Sequence, residues 1–243
     1  MASFTRSLLV LAALGAAASG AHAQQIHAGY SVPFGLNSSN EFSLTFGSST
    51  QNANALVING WRTGSPSDTF GPEIPTAFST FCVEVGENIQ VTTNQPLGSP
   101  GGPAYLHLVL PLLGSTTLAG GFTGPITFDA TRTDRLELLW GLHFDSTLQT
   151  DMNRSAAFQL AVWEIAFDNA LALDSGMFSV TGSNTAAIAL ANQFLTDVLD
   201  GSGPRQPLYL LRSDGNQDLI TAAYQTPSAL ERQFVLDKIA VVV

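Results

Sequence analysis

The chain has 243 residues and a formal net charge of −10, with 45% hydrophobic but only 12% charged side chains. That composition belongs to a folded protein with a sizeable core, not to a disordered one. Its acidic surface repels nucleic acid and anionic membrane, so neither is expected as a partner.

Residues 1–23 read as a secretory signal. Arg6 supplies the positive start, the run from Leu8 to Ala18 is apolar, and Ala21-His22-Ala23 precedes Gln24 as a small-x-small cleavage site. The apolar run is too short to span a bilayer. The expectation is a Sec-exported protein, secreted or at the cell surface with the periplasm as the other compartment, and not inserted in the membrane after cleavage.

From residue 24 to about 130 the pattern is β. Segments 26–34, 41–47, 53–61, 77–85, 89–93 and 106–110 are rich in Val, Ile, Phe and Thr and are divided by Gly, Pro, Asn and Ser. The Gly/Pro-rich stretches 96–103 and 120–125 read as loops. A helix is expected over 134–144, with Thr133 or Asp134 as cap and apolar residues at 136, 139, 140 and 144. A second is expected over 153–172, capped by Asn153 or Ser155, and a third over 185–199. Residues 207–211, 219–223 and 233–243 return to β character. The sequence thus predicts one α+β domain over 24–243, a β-rich barrel or sandwich with a helical insertion at 131–200 and closing strands at 205–243.

Two short stretches carry chemistry. Phe81-Cys82-Val83-Glu84 holds the one cysteine of the chain, which excludes an intramolecular disulfide. By period two, Thr80, Cys82 and Glu84 share one strand face, which helices can cover, and Phe81, Val83 and Val85 share the other. Between Ala156 and Phe167 the only hydrophilic side chains are Gln159 and Glu164. A helix so apolar is buried on nearly all sides, so the Gln159 amide must be satisfied or chemically changed. A lone thiol and a buried amide are the two groups that form an internal thioester, by attack of Cys82 sulfur on the Gln159 carboxamide with loss of ammonia. Trp163 and Phe81 would be apolar walls against water. Glu84 would be a proton shuttle or a solvated neighbour that disfavours thiolate. Glu164 is expected in an ion pair with Arg135 or Arg154. Eight of the nine basic residues are arginine and Lys238 is the sole lysine, as suits a chain that carries an amine-reactive group.

The pair of motifs resembles the Cys–Gln thioester domains of bacterial surface adhesins and related exported bacterial proteins. In that family an aromatic residue or leucine precedes the cysteine, as Phe81 does, and the second motif reads Thr-Gln-x-Ala-Ile-Trp. Gln159, Ala161, Val162 and Trp163 match it, while Phe158 stands where threonine is usual. The resemblance implies covalent attachment of the thioester carbonyl to a lysine amine on a host protein, within the wider class of amines and hydroxyls on an external protein or polysaccharide. The rival reading is a non-covalent extracellular matrix or binding protein on the same fold.

An enzyme reading finds less support. A thiol hydrolase would need His27, His107 or His143 as base, and each reads as a solvated or helix-terminal histidine. No metal-ligand spacing, phosphate loop or other cofactor motif occurs, so no cofactor is expected.

Overall fold

The computed structural model describes residues 24–69, 74–100, 102–118, 124–168 and 170–222; the expected signal and the strand at 233–243 lie outside these. The described chain runs through β1 (Gln24–Ser31), β2 (Glu41–Phe46), β3 (Ser49–Asn54), β4 (Ile58–Arg62), β5 (Ala77–Cys82) and β6 (Tyr105–Pro111). Helix α1 (Ala130–His143), a 3-10 turn (Ser146–Gln149), α2 (Met152–Phe167), β7 (Phe178–Thr181) and α3 (Thr185–Leu199) follow. β8 (Leu208–Arg212) and β9 (Leu219–Ala222) complete it.

Six strands close into an antiparallel barrel in the order β1-β4-β5-β9-β8-β6, and β3-β2-β7 form a second sheet. The fold is α+β, a barrel with a helical block between its fourth strand in the chain, β6, and its last two, β8 and β9. Closure works because β1 serves two neighbours: Gln24–Ala28 pair with β6 and Ala28–Ser31 with β4. This leaves Tyr30 to Val32 open on the β6 side, and loop residues fill it. Thr92 N donates to Tyr30 O at 3.2 Å and Val32 N to Thr92 O at 2.8 Å. The expected strand at 89–93 is therefore a loop with one bridge to β1. The expected strand at 53–61 is two, because residue 55 still bonds back to Asn40 while Ile58 already pairs with β5. β7, unforeseen inside the helical block, is four residues long and completes the second sheet.

The helices start where carboxylate or amide side chains accept the first free N–H groups. Asp129 caps α1 through Arg132 N, Asp151 caps α2 through Arg154 N, and Asn184 caps α3 through Ala187 N. The first two caps precede the expected ones, and α2 ends at Phe167, where Asp168 turns extended. Ser155 to Phe167 of α2 are all buried, so this helix is the axis on which barrel, second sheet and the other helices pack.

The barrel interior follows from register. Tyr30, Gly60 and Phe78 lie side by side across β1, β4 and β5. A Cβ on Gly60 would come within 2.2 Å of the Phe78 ring, so only glycine lets that ring lie across the interior. On the outside, Phe81 packs against Phe158, Trp140 and Phe144 with centroids 4.5, 5.5 and 6.5 Å away.

One seam in the barrel is incomplete. β4 and β5 pair only as far as Ile58↔Thr80. Beyond that point α2 takes over: Ser155 Oγ accepts the Val57 N–H at 2.7 Å. Ser155→Ala strands that buried donor and should lower stability by about 1–3 kcal/mol, measured by urea denaturation with unchanged slope.

Candidate functional site

Four residues after Ser155, one helical turn along the same row, α2 presents Gln159 to the same seam. Val83 N donates to Asp218 O of the β9 side at 3.1 Å, so by antiparallel alternation the N–H and C=O of Cys82 point the other way, toward the missing stretch of β4. Gln159 occupies that place. Its Oε1 accepts the Cys82 N–H at 2.9 Å and its Nε2 donates to Cys82 O at 2.8 Å. The amide thus stands in for a strand residue. Gln159 is 1% and Cys82 6% exposed, so both hydrogen bonds are shielded from water and neither partner carries a desolvation penalty unmet.

Register puts the Cys82 side chain on the barrel-interior face, with Thr80 and Tyr30. The helices cover the opposite face, that of Phe81, so Phe81 anchors the helical block and is no wall for the thiol. Trp163, one turn beyond Gln159, is a wall. It lines with Cys82 a cleft of about 200 Å³ at the barrel mouth, together with Leu56, Glu84, Glu87, Gln217 and residues 51–54 of β3.

The cleft is acidic but reluctant to ionise. Burial, then the charge of Glu84, push the Cys82 thiol up, while a hydrogen bond from the Gln217 side chain pulls the other way. Glu84 is 1% exposed. Burial first and Asp218 second push it up to about 7. Asp218 rises to about 6, chiefly by burial, and Glu87 is raised by burial and by Asp214. Asp218 N donates to Glu84 Oε2 at 3.2 Å, and Gln217 Nε2 to Glu84 O at 2.8 Å. Glu84 is thus a buried, near-neutral acid beside the thiol, not a solvated neighbour. Gln217 and Asp218 escaped the sequence reading. They sit in the polar run Asp214 to Asp218 before β9, and nothing local to that run links it to Cys82.

Other expected placements change. His107 is buried inside the barrel, where its Nε2 meets Tyr30 OH at 2.8 Å and burial lowers it to about 4. His27 pairs with Asp68 at 2.8 Å and His143 with Asp197 at 3.1 Å. No histidine is among the residues lining the Cys82 cleft. Arg154 pairs with Asp145 at 2.9 Å. Glu164 instead accepts the Ala172 N–H at 3.0 Å and, fully buried, is pushed up to about 8, first by burial. Its role is to hold the chain that leaves α2. Among the described residues no three His, Cys, Asp or Glu side chains converge as metal ligands.

No known protein family's sequence profile matches the chain, and no curated protein or solved structure resembles it closely enough to count as a match.

The buried acids dictate a pH dependence. A carboxyl raised by folding keeps its proton where the unfolded chain has lost it, so stability falls as pH rises from its ordinary toward its folded value. For Glu164 that window is 4.5 to about 8, and for Glu84 4.5 to about 7. Neutral His107 acts in the opposite sense between about 4 and 6.5. Above 6.5 the carboxyls are unopposed. The thermal midpoint should therefore fall between 6.5 and about 8, and Glu164→Gln should flatten that fall.

Proposed function

We propose that Cys82 and Gln159 form an internal thioester, and that the protein uses it to acylate a nucleophile on another molecule. The observation that carries this reading is the reciprocal pair of hydrogen bonds between the Gln159 amide and the Cys82 backbone. It holds the carboxamide against the one residue whose sulfur could attack it. The Cys82 N–H on Oε1 is aimed where negative charge develops when sulfur adds to the carbonyl, as an oxyanion-hole donor is. The Cys82 C=O holds the nitrogen that must leave.

The chemistry balances without a cofactor. Glu84 takes the thiol proton, sulfur adds to the Gln159 amide carbon, and the tetrahedral adduct expels nitrogen, which receives that proton and departs as ammonia. In the second stage an amine or hydroxyl adds to the thioester carbonyl, the carbon–sulfur bond breaks, and Cys82 recovers a proton. Glu84, held near 7 inside the protein, is suited to passing a proton both ways at neutral pH. Trp163 and the buried surroundings slow hydrolysis, which competes with capture. With residues 1–23 read as an export signal, the setting is outside the cytoplasm and the role is covalent adhesion.

One observation favours a second reading. Both polar atoms of the amide are already satisfied by the backbone, which alone would make Gln159 a structural stitch in a non-covalent extracellular binding protein.

Intact mass of the purified chain decides between them. The thioester predicts a mass short by one ammonia, a rise by one methylamine on treatment, and neither in Cys82→Ala. A full-length mass with a titratable thiol leaves the stitch. Glu84→Gln should slow thioester formation about 100-fold without changing the fold by circular dichroism; full-rate formation would remove Glu84 from the mechanism.

A further inference from the structure

The second sheet ends on a bare edge beside the cleft. β3 is an outer strand, paired only with β2. Residue 55 donates its N–H to Asn40 O at 2.8 Å, so alternation turns residues 51 and 53 toward β2 and turns the N–H and C=O of Thr50, Asn52 and Asn54 outward. Among the described residues no backbone group pairs with those three. The strand reads Ser-Thr-Gln-Asn-Ala-Asn and has none of the usual guards of an edge, such as lysine, another charge or proline.

This edge belongs to the cleft that Cys82 lines: residues 51–54, Glu84 and Glu87 are all in its lining. The Glu84 and Glu87 side chains there are hydrogen-bonded to each other, with Thr117 on Glu84, so they form a close pair of carboxyls with buried oxygens in the cleft. Two close carboxyls repel when both are ionised and gain from a nearby cation, which also suits a chain of net charge −10.

We propose that the free edge of β3 captures an extended, lysine-bearing segment of another protein by strand addition, which presents the lysine amine to the Cys82–Gln159 site. This rests on the thioester reading and on the lysine acceptor that the resemblance implies, and adds how that acceptor is held and aimed. A row of outward N–H and C=O groups at strand spacing is complementary to a peptide backbone and not to a polysaccharide. On an added strand every second side chain points the same way, so one lysine can face the cleft while the backbone stays paired. The ammonium gives a proton to Glu84. The neutral amine then adds to the thioester carbonyl, the carbon–sulfur bond breaks, and the amide forms as Cys82 sulfur is reprotonated.

The test compares acylation rates by intact mass for four amines. These are methylamine, Nα-acetyl-lysine amide, chitotriose, and a blocked peptide of about seven residues that alternates threonine and valine around one central lysine. The peptide should react at least about tenfold faster than acetyl-lysine amide, the gain expected from holding the amine at the site. N-methylation of alternate peptide backbone nitrogens should abolish the advantage. So should Asn52→Pro, which removes an outward N–H but no ladder bond, read as the ratio of the peptide rate to the methylamine rate in the same variant. Peptide, acetyl-lysine amide and chitotriose reacting alike, with methylamine still adding, would overturn strand addition and leave the thioester standing. Covalent multimers lost in Lys238→Arg would make the occupant a second copy and also overturn it. Should methylamine fail to add, the thioester reading falls by itself. Fluorescence anisotropy of the labelled peptide then tests the edge: binding weakened by Asn52→Pro supports it, and no binding overturns it.

Discussion

The arrangement depends on a barrel that does not finish its own hydrogen bonding. β4 and β5 part after Ile58↔Thr80, and the donors and acceptors beyond that point are buried. Backbone groups in that position must find partners or cost about 1–3 kcal/mol each. The row Ser155, Gln159 and Trp163 of α2 meets the demand: a hydroxyl for Val57, an amide for Cys82, and an indole over the rest. The near-complete burial of α2 and the attachment of the helical block to the barrel follow from the same seam. The placing of the Gln159 amide on the Cys82 backbone is a by-product of backbone satisfaction, and the proposed chemistry is built on that structural necessity.

Burial also sets the protonation of the site. The thiol is held in its neutral form, and a nearby carboxyl is held close to neutrality by the same exclusion of water. A thiol that ionised freely would be a general nucleophile open to oxidation. Here burial and the charge of Glu84 both hold it un-ionised, so the proposed thioester needs Glu84 to act as its base and not as a bystander charge.

Much of this was legible in the sequence. The helix over 185–199 was found to the residue, because its apolar period is clean; its Asn184 cap came only with the structure. The pairing of Cys82 with Gln159 could be anticipated, because one cysteine and one hydrophilic interruption in an apolar helix are each conspicuous. What was hidden depends on neighbours remote in the chain. Whether 89–93 becomes a strand is decided by which side of β1 is open. Whether Phe81 or Cys82 faces the helices is decided by which side of the sheet closes into a barrel, and period two gives only their opposition. Gln217 and Asp218 carry no local mark at all. Glu164 was assigned an arginine because charged residues usually find one, whereas a helix end that folds back offers N–H groups that serve as well.

The grip on Gln159 comes from the main chain of residue 82, not from its sulfur. Shape and reactivity are therefore separable in this molecule. The single sulfur atom can be gained or lost while the seam, the cleft and the bare edge keep their form. A lineage of such proteins could pass between a covalent and a purely clasping mode by one substitution, with no refolding between them.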